Sequence, residues 1–115
     1  MKDTKTNPEL IDLIKELNIA GREKNIWKDV AKRLEKSKRV QVNVGKLAKV
    51  VNSDEIALVP GKILGAGEIP KSIAVAAISF SDAAYQKLLA SGSEAMSIKD
   101  LLKNNPDVNR IRIIG

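Results

Sequence analysis

The sequence predicts an α/β fold: an N-terminal helical hairpin followed by a core of short strands and helices. Three observations carry that class. Apolar residues recur with helical spacing over the first third of the chain, the period drops to two after Lys38-Arg39, and short apolar runs then alternate with capped helical segments. At 115 residues the chain has the length of one domain, large enough for a modest core. The expected layout is a polar tail at 1–7, a helical hairpin at 8–36 and an α/β core at 40–115, all in a single domain.

The hairpin is read from its caps and stripes. Asn7 is a good N-cap, and Pro8 suits the first helical position, where a missing N–H costs nothing. Leu10, Leu13, Ile14 and Leu17 follow at i, i+3, i+4 and i+7, so the first helix is expected from 8 to about 18, with Gly21 as its stop. Trp27, Val30, Ala31 and Leu34 repeat that spacing in a second helix from Asn25 to Lys36, leaving Lys28, Lys32, Arg33 and Lys36 off the buried stripe.

Beyond the hairpin, Val40, Val42 and Val44 alternate with Gln41 and Asn43 as a short strand. Leu47, Val50 and Val51 suggest one or two helical turns. Ile56 to Val59 reads as a buried strand ending at a Pro60-Gly61 reversal. Ile63-Leu64 is short and extended, and Ile73 to Phe80 is the central strand, with alanines at 74, 76 and 77 leaving room for a close neighbour. Ser81 and Asp82 cap a helix through Leu89 that Gly92 closes, and Ser97-Ile98-Lys99-Asp100 resembles a capping box for a helix ending before Pro106. Ile111, Ile113 and Ile114 form a terminal strand with Arg110 and Arg112 on its opposite face.

Composition excludes several chemistries. With neither cysteine nor histidine there is no disulfide, thiolate nucleophile, zinc finger or imidazole base. The acidic residues are scattered; Asp12 with Glu16, and Asp54 with Glu55, read as solvated faces, so no metal and no cofactor is assigned. The N-terminus lacks the apolar core of a signal peptide, and the run Ile73 to Ile78 is too short to span a bilayer. A cytoplasmic protein without membrane association is expected. The net charge of +6, from 20 Lys and Arg against 14 Asp and Glu, draws such a protein towards polyanions.

The densest basic cluster is Lys32-Arg33-Leu34-Glu35-Lys36-Ser37-Lys38-Arg39, in which five of eight residues are cationic. Some of that charge complements the end of the helix dipole, and the rest, enlarged by Lys46 and Lys49, has the footprint of a nucleic-acid contact. Arg110 and Arg112, at i and i+2, offer two guanidinium forks to a phosphate backbone. Trp27 and Phe80 are expected in the core. Without an aromatic platform, folded RNA gripped by shape and phosphates is favoured over unpaired bases read by stacking.

Gly61, Gly65 and Gly67 punctuate the middle of the chain, and Lys62 stands between two of them, expected in a tight loop and exposed to a phosphate. Gly65-Ala66-Gly67-Glu68-Ile69-Pro70-Lys71-Ser72 nearly spells a nucleotide-binding P-loop. Pro70 replaces its second glycine, however, so the nest of amide donors is broken at its key position and Glu68 would repel the phosphates.

Five blocks in order complete the reading: Thr6-Asn7-Pro8, Ile26-Trp27-Lys28-Asp29-Val30-Ala31, Val42-Asn43-Val44, the glycine stretch Val59 to Gly67, and Phe80-Ser81-Asp82-Ala83-Ala84. Together, over Thr6 to Gly115, they resemble the archaeal and eukaryotic large-subunit ribosomal protein family called L-eighteen-e, related to bacterial protein L-fifteen. Gly45, where the family pattern usually has a small polar residue, and Glu68-Ile69-Pro70 depart from it. The resemblance implies an irregular β-β-α superhelical core and a non-catalytic role in the archaeal large subunit. It further implies binding of large-subunit ribosomal RNA beside neighbouring ribosomal proteins, as a monomer within the ribosome and without a small-molecule substrate. The RNA-binding residues expected are Lys32, Arg33, Lys36, Lys38, Arg39, Lys46, Lys49, Lys62, Lys71, Arg110 and Arg112. Two alternatives stay open: a small nucleotide-binding enzyme using the glycine loop, and an extra-ribosomal module binding an acidic protein.

Overall fold

A computed structural model describes residues 7–36 and 38–115. Most of the expected polar tail, Thr6 of the first block and Ser37 of the basic cluster lie outside the described residues. The chain divides into two compact units after Arg39.

The first unit is the helical hairpin. Helix α1 runs over Pro8–Ala20, two residues further than its stripe predicts, and Asn7 Oδ1 accepts the N–H groups of Glu9 and Leu10 at 3.0 and 3.3 Å. Helix α2 spans Asn25–Glu35 and buries Trp27, Val30, Ala31 and Leu34 as its spacing requires. The two helices pack against each other. Gly21 follows α1 in a right-handed conformation, so its value is space rather than a left-handed cap. A Cβ there would lie 3.0 Å from the Lys28 backbone nitrogen.

The second unit is a parallel sheet with helices. Its elements are β1 (Val40–Asn43), α3 (Val44–Val50), β2 (Ile56–Leu64), β3 (Ala74–Phe80), α4 (Asp82–Ala90), β4 (Glu94–Ser97), α5 (Ile98–Lys103), a 3-10 turn (Val108–Arg110) and β5 (Ile111–Ile113). The strand order is β1-β2-β3-β4, with β5 also on β2. Because β3 occupies one edge of β2, β5 and β1 share the other, end to end: β5 pairs with Ile56 to Leu58 and β1 with Gly61 to Leu64.

That arrangement corrects the Pro60-Gly61 reversal. The chain does not turn there; both residues lie inside the nine-residue strand β2. Proline survives in an inner strand because its missing N–H falls where one edge partner ends and the next begins. The ladder to β3 also slips at this point, from Val59 opposite Ala77 to Lys62 opposite Ser79, as a bulge. Gly61 is required by close approach, since a Cβ would sit 2.0 Å from the Val40 carbonyl oxygen. Hence Gly61 and Lys62 are strand residues, not part of a tight glycine loop.

Two smaller corrections follow. Val44, expected in the first strand, is the first residue of α3, and β4 has no counterpart among the expected elements. Its four residues, Glu-Ala-Met-Ser, have weak strand preference, so pairing with β3 rather than local propensity makes the strand.

The core of this unit lies chiefly on one sheet face. Val42, Val59, Ile63, Val75 and Ala77 meet Leu47 of α3, Val51 just after it, and Ala84 and Leu88 of α4. Leu58 and Ala76 are fully buried too, and α5 packs its buried Ile98 and Leu101 towards β3 and β4. Burying one such leucine contributes roughly 2 kcal/mol. Helix α4 closes with the paired bonds of a Schellman end: Ser93 N–H donates to Leu88 O at 2.9 Å and Gly92 N–H to Leu89 O at 3.1 Å, with Gly92 at φ +75°. Ser93 Oγ then accepts the Ile73 N–H, joining the helix end to the start of β3.

Candidate nucleic-acid interface

Strands β2 and β3 are parallel and adjacent, yet only residues 65–73 connect them. Most parallel neighbours are joined through a helix, in a crossover of a dozen or more residues. Here a nearly extended segment must travel back along the sheet, and its own backbone offers it no regular partner. It is held by other groups instead. Asn43 Oδ1 accepts the Ala66 N–H at 3.1 Å, and Ala66 O accepts the Gly45 N–H at 3.0 Å. The Lys87 ammonium donates to Gly65 O at 2.6 Å and to Gly67 O at 2.8 Å. The Ala66 N–H, engaged by Asn43, and the carbonyls of Gly65 and Gly67, turned towards Lys87, do not form a phosphate-binding nest.

The loop crosses the start of α3 through paired glycines. A Cβ on Gly67, which has φ +97°, would lie 2.6 Å from Gly45 Cα. The departure at Gly45 thus has a steric reason: Gly67 leaves no room for a side chain. Beside this crossing, Gly45, Ala48, Lys49, Gly67, Glu68 and Pro70 line a half-open groove of about 390 Å³.

The expected RNA-binding residues fall into separate groups. In the helical unit, Lys32 and Lys36 are exposed, as is Lys38 after the helix, whereas Arg33 and Arg39 are half-buried and Arg33 pairs with Asp29 at 3.2 Å. In the second unit, Lys46 and Lys49 stand exposed on α3, and Lys71 is exposed in the loop. Lys62 lies between Gln41 of β1 and Ser79 of β3, all three exposed, so a polar row crosses three strands.

Arg110 and Arg112 do not share a strand face. Arg110 belongs to the 3-10 turn before β5, and its Nε donates to Asp54 O at 2.8 Å. Arg112 Nη1 lies 3.8 Å from Glu55 Oε1. Both serve the turn before β2. Arg112 sits opposite Ala57, about 17 Å of strand from Lys62, and Arg110 lies just before it, so both belong to the opposite end of the sheet.

Three lysines outside the expected set matter as well. Lys28 and Lys32 lie at i and i+4 on α2, with Lys24 at its cap one turn earlier, and all three are exposed. The four-residue spacing of Lys24 and Lys28 with Lys32 is a signal present in the sequence, although these two lysines fall outside its densest basic run. Lys87, which holds the loop, carries no local signal, since its partners are 20 and 22 residues away in sequence. Among the described residues no group of three or more acidic side chains is placed to hold a metal, and no helix is long and apolar enough to cross a membrane.

Residues 12–96 match the family described as ribosomal proteins 50S L15, 50S L18e and 60S L27a. The chain belongs to this family. It is 42% identical over 117 residues to large ribosomal subunit protein eL18 of Methanospirillum hungatei, an alignment that covers 98% of this chain and 97% of that protein. The eL18 proteins of Archaeoglobus fulgidus and Methanopyrus kandleri are 44% and 45% identical, covering 96% and 95% of this chain and 97% and 93% of theirs. Members of the family are structural constituents of ribosomes rather than enzymes, in keeping with a glycine loop that is braced and not built to hold phosphates.

Proposed function

We propose that this chain is a structural constituent of the archaeal large ribosomal subunit that binds folded large-subunit ribosomal RNA through its exposed lysines. Its eL18 relatives are named as large-subunit proteins, and membership of their family supports the assignment. The observation that carries the RNA reading is the line Lys24, Lys28 and Lys32 along α2. These ammonium groups are exposed, one turn apart, and among the described residues make no ion pair. Like charges at that spacing repel, a cost that a polyanion removes. Lys36 and Lys38, just past the helix, are exposed as well, and Lys46, Lys49, Lys62 and Lys71 supply further cations from the second unit. Arg110 and Arg112 act mainly within the fold.

Filter binding tests the proposal. The purified chain is titrated against archaeal large-subunit ribosomal RNA and against an unrelated structured RNA of equal length. Selective binding to the first, weakening steeply with salt, is expected. Absence of binding at low salt would contradict it.

A further inference from the structure

The groove beside the glycine crossing points to something narrower than a phosphate contact. Resting on the RNA-binding reading, we propose that it receives one extruded guanine of the RNA, held edge-on by Glu68. Three features argue for a single base. A volume of about 390 Å³ lies at the small end of the roughly 300–1,000 Å³ of small-molecule sites, suited to a nucleoside and too small for a helix or strand. Its lining is mostly apolar: side-chain-free peptides at Gly45 and Gly67, the Ala48 methyl and the Pro70 ring, surfaces on which a base lies without an aromatic partner. Its two charged residues have opposite tasks. Lys49 on α3 supplies a cation for the nucleotide's phosphate, with exposed Lys46 one turn away.

Glu68 is the discriminating group. An acidic side chain on a surface meant for RNA is repelled by phosphate, so it is favourable there only when it meets a donor. A carboxylate accepts two parallel hydrogen bonds, and guanine alone among the four bases presents adjacent N–H donors, at N1 and N2, on its pairing edge. The Lys87 bonds to Gly65 O and Gly67 O hold the loop in place before RNA arrives, so the groove is pre-formed.

The test compares full-length wild-type, Glu68→Gln and Ala48→Met chains on large-subunit ribosomal RNA, with circular dichroism confirming each fold. Guanine-specific modification by kethoxal, which attacks N1 and N2, reads the site directly. Wild type should protect one unpaired guanine, and both variants should lose that protection. Glu68→Gln should bind roughly tenfold more weakly with an unchanged salt slope, the size expected for removing one bidentate hydrogen-bonded pair to a base. Tighter binding by Glu68→Gln, as plain electrostatics predicts, would overturn the groove assignment, as would wild-type binding without a protected guanine. Failure of wild type to bind the RNA at all would instead contradict the broader RNA-binding reading.

Discussion

Gly45 and Gly67 lie against each other so closely that a Cβ on Gly67 would stand 2.6 Å from Gly45 Cα, and one on Gly45 would stand 2.9 Å from Gly67 Cα. Two segments of backbone, the loop after β2 and the first turn of α3, cross there with no side chain between them. The crossing lets a nine-residue connection join parallel neighbours.

Gly67→Ala should therefore be costly on two grounds, its positive φ and its collision with Gly45. A loss of roughly 2–4 kcal/mol is expected in urea unfolding. Gly61→Ala should be at least as severe, because the clash is with the Val40 carbonyl oxygen at 2.0 Å and would part β1 from β2. Wild-type stability in either variant would show that the close approaches relax freely.

Lys87→Met removes the ammonium from Gly65 O and Gly67 O while keeping the side chain's length. Exposed charged bonds of this kind should be worth about 1–2 kcal/mol together. The loss should be local, read as faster hydrogen exchange of the Gly45 and Ala66 amides, with α1 and α2 unaffected. Unchanged exchange at those amides would contradict the bracing role.

Arg110→Ala should behave as a stability variant. It loses the Nε bond to Asp54 O, about 1 kcal/mol, with less effect on the salt slope of RNA binding than Lys62→Ala. A larger slope change for Arg110→Ala would return the arginine to the RNA-binding set.

Ser81→Ala and Ser97→Ala each delete an N-cap, the bonds from Ala84 and Asp100 N–H at 3.1 and 3.0 Å. Each should cost about 1 kcal/mol. Thermal melts that fail to shift would indicate that the neighbouring strands alone fix both helix starts.

These caps were legible in the sequence, as were both hairpin stripes, because each depends on residues within a few positions. What was not legible depends on partners far along the chain. Pro60-Gly61 has the composition of a turn, yet the end-to-end placement of β5 and β1 along β2 makes it a bulge. β4 exists because β3 offers it an edge. In the candidate site, exposure of Lys32 and Lys36 followed from their place off the apolar stripe of α2, whereas Lys62 is exposed from within β2 and not from the tight loop its flanking glycines suggest. The fate of Arg110, tied to a carbonyl 56 residues away, was not legible either.

The most direct measurement of the central claim is the salt dependence of binding to archaeal large-subunit ribosomal RNA for wild type and for Lys28→Ala, Lys32→Ala and Lys36→Ala combined. If these lysines neutralise phosphates, the slope of log K against log salt should fall by about 2–3, near 0.7–0.9 for each phosphate no longer neutralised. An identical slope in the variant would contradict the placement of the RNA on this face of α2.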